Sequence, residues 1–211
     1  MARYIGPQCR YCRTEGRKLF LKGERCNTAK CPIAKKRPAP GKGPKTRQKK
    51  LSDYGIQLRE KQKLKRIYGM LEKQFKITFE KAEKMQGKTG ENLISLLERR
   101  LDNVVFRMRF ASSRKQARQI VSHGHVQVNG KTVTIPSFVV RVNDEVIVKD
   151  ASKKLVVIKE SLKEYTKSGT SLWLDVDPDK MKGVIKSLPQ RNEITDLADI
   201  KEQLVVELYS R

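Results

Sequence analysis

Residues 112–130, Ser-Ser-Arg-Lys-Gln-Ala-Arg-Gln-Ile-Val-Ser-His-Gly-His-Val-Gln-Val-Asn-Gly, leave their chain little conformational choice. Ser113 is a favoured helix N-cap, and Gln116 three residues later fits a capping box. Ala117, Ile120 and Val121 then fall at i, i+3 and i+4, the narrow apolar face of one short helix. Gly124 suits the left-handed residue that closes such a helix. Val126 and Val128 alternate with polar residues as a half-buried strand, and Asn129-Gly130 is a strong hairpin signal. Val133 and Ile135 begin the predicted return strand. After Pro136, residues 139–142, an Asn143-Asp144 turn and the run Val146-Ile147-Val148 predict one more strand pair.

Arg114 and Arg118 lie one turn apart on this helix, with Lys115 beside them and Arg107 and Arg109 just upstream. No acid stands three or four residues away within the helix. The expectation is a rigid, uncompensated cationic face of the kind that grips a phosphate backbone. The plainer alternative is a solvated surface of a small α/β domain, and the charge of the whole chain decides between them. Lys and Arg number 47 against 23 Asp and Glu, a net charge of +24. Residues 1–50 carry +14 of it and residues 99–150 carry +6, so the excess is local. Self-repulsion on that scale predicts a polyanionic partner. No run of 18 apolar residues exists and no basic amphipathic helix is evident, so nucleic acid is preferred to a membrane.

All four cysteines fall near the N-terminus as Cys9-x2-Cys12-x13-Cys26-x4-Cys31, a spacing that fits one structural tetrathiolate zinc ion. Two disulfides, an iron–sulfur cluster or four reduced thiols are the alternatives; the absence of a signal-peptide pattern argues against disulfides. The nearby Arg10, Arg13, Lys22, Arg25 and Lys30 are expected to lower the thiol pKa values. Residues 35–50, with three prolines and two glycines among basic side chains, predict an extended cationic strap ordered on its partner. From about residue 57 to 84, Leu64, Ile67, Tyr68, Leu71 and Phe75 recur at helical spacing, with Gly69 a weak point. Thr89 can cap a second helix carrying Leu93, Leu96, Leu97, Leu101, Val104 and Val105. Further on, residues 156–158 and 171–177 predict strands, residues 194–200 a helical stretch, and Trp173 a packing anchor rather than a base-stacking platform.

Taken together, these residues resemble the family of bacterial small-subunit ribosomal protein S4. The resemblance runs nearly end to end, through Met1-Ala2-Arg3-Tyr4, the four cysteines, Leu101-Asp102-Asn103-Val104-Val105-Phe106-Arg107, residues 122–131, Ile135-Pro136-Ser137 and Val206-Glu207-Leu208-Tyr209-Ser210. Where other members have Gly or Leu-Gly before the Phe-Ala pair, this chain has Met108-Arg109, which adds charge. The resemblance implies an α+β protein. Residues 1–50 would form a basic arm and strap, the arm bound to zinc through its four cysteines. Residues 51–98 would form a helical domain joined by the C-terminal segment from about 170 to 211. Residues 99–165 would form an inserted S4-type α/β RNA-binding domain, helices packed on a small antiparallel sheet.

The activity implied is that of a primary binder of 16S rRNA in the cytoplasmic small subunit, monomeric within the ribosome and not an enzyme. Contacts with ribosomal protein S5, with S3 and with mRNA at the tunnel entrance follow from the same resemblance. The expected RNA contacts in the central unit are Arg107, Ser113, Arg114, Lys115 and Arg118, with His123, His125, Asn129 and Lys131 around the hairpin. Arg3, Arg10, Arg13, Lys35, Lys36, Arg37, Arg47, Lys49 and Lys50 would form an N-terminal clamp. The two histidines serve equally well as local hydrogen-bonding residues. An RNA-modifying enzyme fits poorly, because no G-x-x-x-x-G-K-[ST] loop or H-E-x-x-H motif occurs. A free-standing RNA chaperone and a zinc-dependent DNA binder are the other rivals, the latter lacking a base-reading helix.

Overall fold

Gly69 divides the long apolar pattern of the N-terminal half into two helices. In the computed structural model, which describes residues 4–43, 50–163 and 171–210, helix α2 (Asp53–Ile67) starts at Ser52, whose hydroxyl accepts from the Gly55 N–H at 3.2 Å. It ends where Gly69 turns left-handed at φ +61°, with the Met70 and Gly69 N–H groups returned to the Lys65 and Arg66 carbonyls. Helix α3 (Glu72–Glu83) follows. Before them lies α1 (Gln8–Glu15), and after them α4 (Thr89–Glu98). The chain groups into two units, Met1–Asn92 with Asp199–Arg211, and Leu93–Ala198.

In the first unit, the last helix, α8 (Glu202–Tyr209), returns to α2 and α3. Its Tyr209 ring stacks 4.5 Å from Phe79, and its hydroxyl donates to Glu72 at 3.1 Å. Gln57 donates to Glu207 at 3.0 Å. The Glu202 side chain lies so close over Gly90 that an added Cβ would stand 2.9 Å from its Cγ. Glycine is required there for contact, not for flexibility. Glu15 ties α1 to α2: its buried carboxylate accepts from Arg66 and, at 3.5 Å, from Arg59, while the Arg66 guanidinium covers the Tyr11 ring at 4.5 Å.

The second unit is built on a five-stranded antiparallel sheet of order β2-β1-β3-β5-β4. The strands are β1 (Val126–Val128), β2 (Lys131–Thr132), β3 (Glu145–Val148), β4 (Leu174–Asp177) and β5 (Lys182–Ile185). Val126 faces Val148 and Val128 faces Val146 across the ladder, so one face is a valine surface. Helices α5 (Leu101–Arg107) and α6 (Arg114–Ser122) share its core through Val104, Val105, Ala117, Ile120 and Val121. Met108 packs on Gly183, where a Cβ would stand 2.6 Å from its methyl carbon. Asn129 and Gly130 both have positive φ, as a two-residue hairpin of this twist requires.

Several sequence expectations change. The helix expected from Thr89 through Val105 divides at Arg99-Arg100 into α4 and α5, and the return strand ends at Thr132, before Val133 and Ile135. Residues 139–142 do not pair with β3; their one isolated bridge, Val139 to Arg100, runs to the residue before α5. Their neighbours instead serve the start of α5: Leu101 N–H bonds the Phe138 carbonyl at 2.8 Å and Asp102 N–H the Pro136 carbonyl at 3.1 Å. Those first N–H groups have no partner inside the helix, so an external acceptor is needed. Residues 156–158 open a helix, α7 (Val156–Lys163), because Ile158 and Leu162, four residues apart, are the ones that meet the core. Residues 194–200 form a short 3₁₀ turn, Thr195–Leu197, rather than a helix. The return to the first unit begins at Asp199, not near residue 170. The β4–β5 hairpin stays with the sheet because β5 fills the second edge of β3.

Trp173 is wholly buried in this core, and its indole N–H has no partner among the described residues. It is a packing anchor. Trp173→Ala is therefore expected to lower the unfolding free energy by about 3–5 kcal/mol. Trp173→Phe, which also removes the orphaned donor, should cost less than half as much. Chemical denaturation followed by circular dichroism checks both.

Candidate nucleic-acid interface

Ser113 caps α6 as expected, its hydroxyl accepting from the Gln116 N–H at 3.3 Å. The reciprocal half differs: the Gln116 carbonyl oxygen takes the Ser112 N–H at 2.7 Å and the Ser112 hydroxyl at 2.8 Å. The cap thus reaches one residue further back and stiffens the entry to the helix.

The uncompensated cationic face does not survive. The acids that neutralise it come from other elements, which a search within one helix could not reveal. Glu98, at the end of α4, is fully buried. Arg107 grips it with two bonds of 2.8 Å, and Asn103 donates to it at 2.8 Å. Asp196 accepts from Arg107 at 3.0 Å and from Arg114 at 3.1 Å. Arg114 also donates to Asn103 at 2.7 Å and lies over the Phe106 ring at 4.6 Å. Arg118 reaches Asp102 at 3.5 Å, and Asp102 is held bidentately by Arg100. The Arg107, Arg114 and Arg118 side chains are only 10, 11 and 12% exposed. They form a structural lattice that fixes α5 against α6.

Outside that lattice, Lys115, His123, Asn129, Lys131 and Arg141 are exposed. Asn129 has its side chain engaged at the turn, donating to Asp144 at 2.8 Å and accepting from the Glu145 N–H at 2.9 Å. His125 bonds the Ser152 hydroxyl at 2.8 Å. Burial, then the neighbouring His123 and Lys149, push its pKa below the ordinary histidine value. Arg109 belongs to the cationic face expected from the sequence, though not to the expected RNA contacts, and Arg141 to neither. Arg141 follows a buried Val140 in an irregular segment with no periodicity to mark it.

In the other unit, Arg10, Lys35, Lys36, Arg37 and Lys50 are exposed, and Arg13 donates to the Pro38 carbonyl at 2.7 Å, folding the strap back toward α1. Arg3, Arg47 and Lys49 lie outside the described residues. Cys12, Cys26 and Cys31 are buried, Cys9 is partly buried, and none is in a disulfide. The Lys22 N–H points at the Cys26 sulfur at 3.4 Å. Burial raises the Cys12 and Cys26 thiols above their ordinary pKa, and repulsion among the four sulfurs adds to it. The expected lowering by basic neighbours is overturned for these two, because burial outweighs it. No group of three or more His, Cys, Asp or Glu among the described residues is placed so as to hold a metal ion.

Residues 3–98 match the ribosomal protein S4/S9 N-terminal domain, and residues 99–146 match the S4 domain. The chain belongs to the uS4 family. Its relatives include the small ribosomal subunit proteins uS4 of Trichlorobacter lovleyi, 52% identical, Geobacter metallireducens, 54%, and Caldicellulosiruptor saccharolyticus, 56%. Each alignment spans 211 residues and the whole of both chains. The S4 domain match ends at Val146 within β3, so the β4–β5 hairpin lies beyond it although it completes the same sheet.

The lattice predicts a specific response to acid. Burial pushes Asp196 upward, but the Arg107 and Arg114 guanidiniums outweigh it and hold the carboxyl below the usual aspartate range. A carboxyl depressed in the folded state contributes stability that is complete above its unfolded value of about 3.9 and is lost as pH falls through the folded value. Asp196→Asn is expected to flatten this part of the acid limb, measured as denaturation midpoints between about pH 5 and 2. Glu98→Ala leaves Arg107 buried without its main partner and should cost about 3–5 kcal/mol at neutral pH.

Proposed function

We propose that this chain, as a uS4 family member, is a structural constituent of the cytoplasmic small ribosomal subunit that binds 16S rRNA directly and early in 30S assembly. The full-length relation to small ribosomal subunit proteins is the observation that carries this reading. Lys115, Lys131 and Arg141, with His123 and Asn129, would meet phosphates around the α6–hairpin surface, and Ser113 would hold the helix start that presents them. Arg107, Arg114 and Arg118 act one step back, keeping α6 in place. Arg10, Arg13, Lys35, Lys36, Arg37 and Lys50, together with Arg3, Arg47 and Lys49, would clamp a second stretch of RNA. Recognition is by shape and charge: A-form grooves hide most base edges, and binding releases counterions. The role is structural rather than enzymatic. Contact with ribosomal protein S5, and with S3 and mRNA at the entry tunnel, extends the same proposal.

By their spacing in sequence, Cys9, Cys12, Cys26 and Cys31 would hold one structural zinc ion, although the described geometry does not itself bring them into a metal-binding group. Three buried thiols that repel one another as thiolates, with a backbone N–H aimed at one sulfur, make a donor set that a dication would relieve. Bound zinc would supply folding free energy to a segment with few apolar residues.

Two measurements test this. Purified protein is titrated with salt against 16S RNA and against a helical RNA of equal length. Tight, 16S-selective binding with a steep log-log slope is expected, and Lys115→Ala or Lys131→Ala should each reduce the slope by about 0.7–0.9. Steep binding without selectivity would favour an RNA chaperone instead. Elemental analysis should find one zinc per chain, lost in a Cys12→Ser, Cys26→Ser double variant; a metal-free wild type purified without chelator would sink the zinc assignment.

A further inference from the structure

Arg109 stands where the chain leaves α5. Its N–H bonds the Phe106 carbonyl at 3.0 Å, and the Phe110 N–H bonds the Val105 carbonyl at 3.1 Å. This pair of bonds is a Schellman closure, which requires a left-handed residue between helix and exit. Arg109 supplies it at φ +62°. Glycine takes that conformation without strain, whereas a side chain with a Cβ does not. The other non-glycine residues of Leu93–Ala198 with positive φ, among those described, are Asn129, Asn143 and Met181. Asparagine tolerates the region through local hydrogen bonds, and Met181 packs against the core.

Nothing comparable holds Arg109 in place. Among the described residues its side chain makes no hydrogen bond or ion pair, and it is partly exposed. The helix end already has a cation in Arg107. Asp196 already receives Arg107 and Arg114, and Arg109 is the smallest of the influences that lower its pKa. Glu98, Asp102 and Asp196 are already shared among Arg100, Arg107, Arg114 and Arg118, so Arg109 adds positive charge to a lattice that already has more cations than acids. Strain at a position whose internal compensation is no more than a weak attraction to Asp196 points to a task outside the free protein.

We propose that Arg109 is a further RNA-binding residue, a guanidinium held at the α5 cap, four residues before the Ser113 cap of α6, to fork onto an RNA phosphate. The proposal rests on the 16S rRNA reading above. Full-length wild type, Arg109→Gly and Arg109→Lys are compared by salt titration against 16S RNA and the helical control, and by chemical denaturation. Arg109→Gly should be as stable as wild type or more so, yet bind 16S RNA several-fold more weakly, with a log-log slope smaller by about 0.7–0.9. Arg109→Lys should restore most of the slope. An Arg109→Gly variant with unchanged affinity and slope, beside a steep and selective wild type, overturns the inference and leaves the RNA reading standing. A less stable Arg109→Gly whose binding loss Arg109→Lys does not repair assigns the residue to packing and also overturns it. A wild type that is itself salt-flat or unselective removes the RNA reading and this proposal with it.

Discussion

The Leu93–Ala198 unit depends on one buried carboxylate. Glu98 has no contact with water, and an isolated charge there would be prohibitive. It is tolerable because Arg107 and Asn103 both donate to it. Those two residues lie four apart on α5, so the charge fixes the rotation of that helix about its own axis. Arg114 then bonds Asn103 from α6, passing the constraint to the second helix. Hydrophobic contact between α5, α6 and the valine face supplies most of the stability, but apolar contact alone is tolerant of small slides. The ionic lattice removes that freedom.

This division of labour separates two populations of cations that look alike in sequence. Arg107, Arg114 and Arg118 are covered and paired; Lys115, Lys131 and Arg141 are open. A surface that recognises folded RNA by shape needs both kinds. Exposed charges give attraction that salt screens readily, while a stiff support keeps them at fixed spacing without further ordering cost on binding.

Local sequence signals were strongest where structure depends on near neighbours. The Ser113 cap, the Ala117, Ile120 and Val121 face, the Asn129-Gly130 turn and the break at Gly69 all involve contacts within a few residues. What could not be read is long-range. Asp196 is far along the chain from Arg107 and Arg114, and nothing in its own surroundings, a short 3₁₀ turn, hints at a partner. Residues 139–142 are apolar enough for a strand before the Asn143-Asp144 turn, yet the unpaired N–H groups at the start of α5 claim the nearby Pro136 and Phe138 carbonyls instead. The β4–β5 hairpin was legible as a strand and turn but not as part of this sheet, since which edge it fills depends on where β3 has already paired. Among the proposed RNA contacts, exposure was what sequence could not supply.

The two margins of the sheet carry a consequence for the protein before it meets its partner. One margin, β2, is two residues long and bears Lys131; the other, β4, carries Asp175 and Asp177. A strand margin offers unsatisfied backbone groups to any passing chain, and long apolar margins invite stacking into fibrils. Here one is two residues long and the other four, and charged side chains stand on both. A newly made copy therefore has little means of zipping onto its neighbours while it waits for RNA, despite a valine-rich sheet at its centre.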